Sequence, residues 1–211
     1  LQILCRVQLI GGDKLAPGPI LIISNHTSHF DPPFIAGFLP GKVEFMATQG
    51  LFSHPLSRLF FTALDVFPVD REKHDSSAVR RALDRLKMKR RVFMFPEGGI
   101  RSGSTSLLGG VPLNDGVASL CSMASAPVQP LLLIGSDQLY DRRNLTRRPR
   151  AFLVVGDVLQ LDPSLPKKVA RAQLTRQVED NLKSMFETLK QDYHLTDDEI
   201  PMTAHERWAR P

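Results

Sequence analysis

Pro19-Ile20-Leu21-Ile22-Ile23-Ser24-Asn25-His26-Thr27-Ser28-His29-Phe30-Asp31-Pro32-Pro33 is the stretch from which the fold can be read. The run Ile20–Ile23 is far too short to span a bilayer. Its length and composition are those of a buried strand. A polar, His-rich stretch follows at once. Asp31-Pro32-Pro33 then reads as a helix start, with Asp at the N-cap and Pro at the first helical positions. A buried strand, a polar turn and a helix make up the repeating unit of an α/β fold.

The rest of the chain continues the alternation. Strands are expected at Val43–Ala47, Val66–Val69, Val92–Phe95, Val128–Ile134 and Ala151–Val155. Leu51–Leu64 is apolar, rich in Phe and expected to be helical. Ser76–Lys89 reads as an amphipathic helix with Val79, Leu83 and Leu86 at helical spacing. Residues 101–116 are Gly- and Ser-rich and read as loop, and Val117–Met123 as a short helix. Pro166 opens a long helix whose apolar stripe is Leu174, Val178, Leu182, Phe186 and Leu189. The expected fold is α/β, a single domain with a mixed, largely parallel sheet flanked by helices. Residues 1–195 form this domain, and 196–211 a polar C-terminal tail that frays. Ligands of open α/β sheets gather at the carboxyl ends of the strands. The polar clusters 25–31, 70–71 and 96–102 all follow predicted strands, which points to a shared site.

Composition narrows the partners. The 211 residues carry a formal net charge of +5, which favours anionic ligands or surfaces. The 42% hydrophobic content reads as globular rather than disordered. Cys5 and Cys121 have neither metal-site nor disulfide-framework spacing, so a reducing compartment is the simplest setting. The Asn-x-Thr sequons at Asn25 and Asn144 read as chance matches.

His26 and Asp31 are the sharpest chemical pair. On a turn entering a helix, the Asp can reach back to one imidazole nitrogen, fix the tautomer and stabilise the imidazolium. The other nitrogen is then able to take a proton from an alcohol. No Gly-x-Ser-x-Gly elbow accompanies the pair, which points to direct transfer to an acceptor hydroxyl rather than a covalent acyl-enzyme. Phe67-Pro68-Val69-Asp70-Arg71 places an Arg at a strand end, where it serves either a surface ion pair or a phosphate. Phe95-Pro96-Glu97-Gly98-Gly99-Ile100-Arg101-Ser102 combines a carboxylate, bare backbone and a second Arg. Pro127-Val128-Gln129-Pro130 reads as a Pro-punctuated strand entry.

Taken in order, these four blocks resemble the glycerolipid acyltransferase family that includes the 1-acylglycerol-3-phosphate acyltransferases. Asn25, His26, Ser28 and Asp31 match the family's Asn-His-x-Ser-x-x-Asp motif, and Arg71 the Arg ending its second block. Residues 96–102 resemble its Pro-Glu-Gly-Thr-Arg-Ser block, with Gly99-Ile100 in place of one Thr. The resemblance covers roughly residues 10–160. It implies a catalytic pair of His26 and Asp31, substrate contacts by Arg71, Glu97, Gly98 and Arg101, and no metal or other cofactor. The implied substrates are a lysophospholipid, foremost 1-acylglycerol-3-phosphate, and acyl-CoA or acyl-carrier protein as donor. Gly98 is also a candidate source of backbone N–H groups for the oxyanion.

A lipid substrate implies work at an anionic membrane surface, as a peripheral protein on the cytoplasmic face. Leu51–Phe61 is a candidate interfacial segment, equally readable as a core helix. Arg142, Arg143, Arg147, Arg148 and Arg150 form a basic run, readable as a solvated loop or as an attractor of headgroups. Two other classes fit part of the sequence. A metallohydrolase would build on His26-x-x-His29-x-Asp31 but needs further ligands. A non-catalytic binder is compatible with the charge, but no nucleic-acid module is recognisable and nucleic acid is not expected as a partner. His29 lies at a variable position of the motif and reads as structural.

Overall fold

Ile20–Ser24 is buried at every position, as an unbroken aliphatic run covered on both faces must be. It is the central strand of a sheet seen in the computed structural model, which describes residues 4–48, 66–69 and 76–209. Among these, seven strands form one sheet: β1 (Arg6–Ile10), β2 (Ile20–Ser24), β3 (Glu44–Thr48), β4 (Val66–Val69), β5 (Arg91–Met94), β6 (Val128–Ile134) and β7 (Arg150–Val155). Their order is β1-β7-β6-β2-β5-β3-β4. Strands β2 to β6 run one way. β7 is antiparallel to β6, and β1 is parallel to β7. The sheet is therefore mixed and largely parallel, as expected.

The described helices are α1 (Asp31–Phe38), α2 (Ser76–Lys87), α3 (Gly116–Ala124), α4 (Asn144–Arg147), α5 (Lys167–Asp192) and α6 (Ala204–Trp208). Strand alternation sorts the core into two layers. Leu21, Ile23, Val128, Leu132 and Ile134 face α2, α3 and α5. Ile20, Ile22, Leu131 and Leu133 face α1 through Phe34, Ile35 and Leu39. The α5 stripe of Leu174, Val178, Leu182, Phe186 and Leu189 is buried throughout. In α2 the stripe is shifted: Ala82 and Leu86 are buried, whereas Val79, in the first turn, is 39% exposed.

Two features depart from the sequence reading, and one expectation lies outside the described residues. β1 was not foreseen, because Arg6–Ile10 is an edge strand, partly exposed along its length, and lacks an apolar run. Leu51–Leu64 lies outside the described residues. The tail does not fray over 196–209. Its polar residues are consumed in pairs with the body of the domain: Glu199 accepts from Arg150 Nε and Nη2, each at 2.6 Å. Arg207, 2% exposed, forks onto Asp137. Both sequons also lack the character of glycosylation sites, since Asn25 is buried and Asn144 Nδ2 donates to the Gln138 carbonyl at 3.0 Å.

Leu182 is fully buried against the sheet. Leu182→Ala is expected to cost about 2–5 kcal/mol in urea unfolding; a loss below about 1 kcal/mol would contradict the packing of α5. The Glu199 carboxyl is pushed up by burial, but the Arg150 hydrogen bonds and the Thr196 N–H outweigh this and hold it below its ordinary 4.5. A depressed pKa contributes stability above that value and loses it as the pH falls through the folded-state value. Glu199→Gln is therefore expected to flatten the loss of thermal stability below about pH 4.5, and an unchanged acid slope would refute this.

Candidate active site

The carboxyl ends of β2, β5 and β6 lie side by side, and the site is assembled on them. Asn25, one residue beyond β2, behaves as an extra strand residue. Its Nδ2 donates to the Leu133 carbonyl at 2.7 Å, and its Oδ1 accepts from the Leu133 N–H at 2.9 Å. The chain leaves the sheet at His26, whose backbone is held from the β5 side. Glu97 Oε2 accepts the His26 N–H at 2.8 Å, and the Arg101 N–H donates to the His26 carbonyl at 2.7 Å. The imidazole stacks on Phe95, ring centroids 3.9 Å apart and planes 13° from parallel.

His26 Nδ1 lies 2.8 Å from Asp31 Oδ2. The Asp31 side chain is fully buried, and the His26 side chain is 15% exposed. The same Oδ2 accepts the N–H groups of Thr27 at 2.7 Å and Ser28 at 3.0 Å. Oδ1 accepts the Ser136 hydroxyl. Four donors thus converge on one carboxylate and compensate its burial. Nε2 takes no hydrogen bond from the described residues, so one ring nitrogen is anchored and the other is open.

Asp31 is not the N-cap that the sequence implied. Phe30 occupies that position, and Asp31 is the first helical residue. The reason is chemical. A cap accepts the N–H groups two or three residues on; Pro33 has none, and the Phe34 N–H is spent on the Phe30 carbonyl at 3.1 Å. With no local N–H left to accept, the carboxylate turns back to the loop that carries His26.

The third block meets the first, although not all its groups do what the sequence suggested. Both Glu97 oxygens are engaged by backbone, Oε1 accepting the Leu107 N–H at 2.7 Å. Burial pushes the Glu97 carboxyl above its ordinary range, opposed by the Leu107 and His26 N–H groups and by the nearby His26 charge. Gly98 has φ of +71°, and open space lies where a side chain would point. Its N–H is spent in a turn, on the Phe95 carbonyl at 3.2 Å, rather than offered to an oxyanion. Arg101 is exposed and lines a cavity of about 150 Å³ with Thr27, Leu108, Phe186 and Ile200. Arg71 lies outside the described residues.

His29 is drawn away from His26: its Nδ1 pairs with the Tyr140 hydroxyl, which also accepts the His29 N–H at 3.0 Å. Among the described residues no group of three or more His, Cys, Asp or Glu side chains converges as a metal site would require. Sequence reasoning missed Ser136 and Tyr140. The signal was available in principle, since both follow the strongly apolar β6. It became readable only once β6 was known to neighbour β2.

A family model for acyltransferases matches residues 6–134, well over half of the chain. The chain belongs to the acyltransferase family. A 1-acyl-sn-glycerol-3-phosphate acyltransferase of Bacillus subtilis is 29% identical over 157 residues, 74% of each chain. One of Helicobacter pylori is 26% identical over 152 residues, 71% of this acyltransferase and 63% of the relative. One of Streptococcus pneumoniae is 25% identical over 143 residues, 67% of this chain and half of the relative. The crystal structure of the 1-acyl-sn-glycerophosphate acyltransferase of Thermotoga maritima shares the fold, with a TM-score of 0.62 at 19% identity. It covers 85% of this chain and 72% of that one. Among the described residues, no helix of this O-acyltransferase is long and apolar enough to cross a membrane.

Asn25→Ala would leave the buried N–H and C=O of Leu133 without their partners. The expected cost is about 1–3 kcal/mol per orphaned group, with a fall in transfer rate because the exit of β2 is no longer fastened. Denaturation and rate measured together check this, and stability within about 0.5 kcal/mol of the parent would refute it.

Proposed function

We propose that this acyltransferase esterifies the free hydroxyl of 1-acylglycerol-3-phosphate to give phosphatidate, with His26 as base and Asp31 as its partner. The observation that carries the reading is an imidazole with one nitrogen fixed on a buried carboxylate and the other open. The names of the relatives support the acceptor, and the absence of a Gly-x-Ser-x-Gly elbow from the sequence fits direct transfer.

His26 Nε2 takes the proton of the acceptor hydroxyl as its oxygen attacks the thioester carbonyl carbon. The carbon–sulfur bond breaks, and the imidazolium returns the proton to the departing thiolate. The products are an ester and a thiol. Asp31 stays ionised and stabilises the imidazolium, while the ring is held flat on Phe95. Glu97 acts here as a brace on the His26 backbone and the neighbouring loop, with both oxygens on N–H groups. Gly98 leaves room beside it for the acceptor. Arg101 and Arg71 hold the acceptor phosphate, Arg101 because its backbone is tied to His26. The donor is acyl-CoA or acyl-carrier protein, and no metal or other cofactor takes part.

The reaction is placed at the cytoplasmic face of an anionic membrane, with the protein peripheral. Reversal of β7 and β1 supports this orientation. It brings their amino ends, with Arg6 and Arg150, to the edge of the sheet where β2 and β6 end. Arg143 and Arg147 line the same surface hollow as Arg6 and Arg150. Arg143 and Arg150 are held in ion pairs with Asp141 and Glu199, so attraction to an anionic surface rests on Arg6 and Arg147, at about 1 kcal/mol for each basic residue near it.

Acyl transfer read by mass spectrometry tests the reading. Acyl-CoA and acyl-carrier protein are supplied separately, with lysophosphatidate and other lysolipids as acceptors. Phosphatidate is expected from the parent, and His26→Ala should lower the rate about 10²–10⁴-fold. Acylation of a different lysolipid would overturn the acceptor, and activity surviving His26→Ala would overturn the base.

A further inference from the structure

We propose that Ser136 is a positioning residue for the His26–Asp31 pair, and that the C-terminal segment holds it in place through Arg207 on Asp137. The inference rests on the reading of His26 as base. It adds a residue outside the first motif, and a segment beyond the strands that build the site.

Ser136 follows Gly135 at the carboxyl end of β6 and is fully buried. Its hydroxyl donates to Asp31 Oδ1 and lies 3.3 Å from the Thr27 hydroxyl. The other three donors to Asp31, from His26, Thr27 and Ser28, all converge on Oδ2. Ser136 is thus the donor that meets the second oxygen among the described residues. Without it the carboxylate would be satisfied on one side and bare on the other, in a place that water does not reach. A carboxylate held at both oxygens cannot swing about its Cβ–Cγ bond, and its plane sets the direction in which the imidazole points.

The turn that carries Ser136 is buried and fastened to its neighbours, with Gln138 Nε2 donating to the Arg150 carbonyl at 2.8 Å. It is a single 3₁₀ turn over Ser136–Tyr140. Gly135, at φ of +95°, approaches the start of β7 so closely that a Cβ would lie 2.4 Å from the Arg150 carbonyl oxygen. A further anchor comes from the C-terminal segment. Asp137 is fully buried, and its Oδ2 accepts Arg207 Nε at 2.9 Å, Arg207 Nη2 at 2.7 Å and the Met202 N–H at 2.9 Å. The guanidinium continues to the Asp198 carbonyl at 2.6 Å and the Ile200 carbonyl at 3.0 Å. One buried Arg thereby binds the terminal segment into a loop and clamps it on the residue next to Ser136. A buried ion pair stabilises weakly compared with a well-packed apolar pair but fixes geometry, which fits a positioning role.

The test compares the full chain with Ser136→Ala and Ser136→Thr, with His26→Ala alongside, at a temperature where each variant is folded. Ser136→Ala is expected to lower kcat about ten- to a hundredfold with KM for lysophosphatidate unchanged within about twofold, the mark of a group that acts on the chemical step. Ser136→Thr, which keeps the hydroxyl, should recover most of the rate. Retention of kcat by Ser136→Ala, or a loss that Ser136→Thr does not recover, overturns the positioning role. If His26→Ala is inactive while Ser136→Ala is not impaired, only this inference fails. If His26→Ala retains activity, the reading beneath it fails.

The clamp is tested separately by Asp137→Asn with Arg207→Met, which removes both charges and leaves no uncompensated ion. In the parent background kcat should fall as it does for Ser136→Ala. In the Ser136→Ala background the same pair of changes should add nothing, because the clamp acts through the missing hydroxyl. Additive losses, or an unaltered kcat in the parent background, overturn the clamp. Should Ser136→Ala not fold, the clamp variant and Ser136→Thr still decide the matter. A clamp variant with parent kcat, or Ser136→Thr at or below His26→Ala levels, counts against the proposal.

Discussion

The carboxylate of Asp31 lies wholly out of water and is kept there by donors from two separate pieces of chain, the loop after β2 and the turn after β6. A buried charge without such partners would be too costly to keep ionised. The residues around it are therefore constrained together. Thr27 and Ser28 present their N–H groups because the loop after β2 curls over the carboxylate. His26 presents Nδ1 because its ring is pinned on Phe95 and its backbone is held by Glu97 and Arg101. An imidazole with one nitrogen anchored this firmly has a defined tautomer and a defined orientation.

The sheet supplies the frame for this arrangement. β2 and β5 end close to one level and β6 runs on past them to Ile134, so the loops after β2 and β5 meet against the carboxyl end of β6. The antiparallel return of β7 has two effects. It allows the β6 turn to be short and close to β7, where Gly135 and the Gln138 amide meet the Arg150 carbonyl. It also brings Arg6 and Arg150 to the end of the sheet at which His26 and Asp31 lie. Without that reversal, Arg6 and Arg150 would sit at the opposite end of the sheet.

Polar residues near the C-terminus resemble a solvated tail by composition alone. In the fold they are the counter-charges of Arg150 and Asp137. Their placement links the last described helix to the turn after β6. A segment outside the region matched by the family model thereby touches the network around His26 and Asp31.

The sequence alone determined what is local. The aliphatic runs specified β2 and β6, the spacing of the α5 stripe specified its buried face, and His26 and Asp31 met because four intervening residues make a single turn. Pattern also marked Glu97 and Arg101, although not that Glu97 would be spent on backbone N–H groups. Only the tertiary structure decided the rest. Ser136 lies 105 residues from Asp31, and Arg207 lies 70 from Asp137. These contacts depend on which strand lies beside which, and on a tail folding back. Neither leaves a period or a motif in the chain. Hydrophobic pattern reports how a segment is buried, not what it is buried against, and a buried hydroxyl or ion pair becomes legible only when its partner has a position.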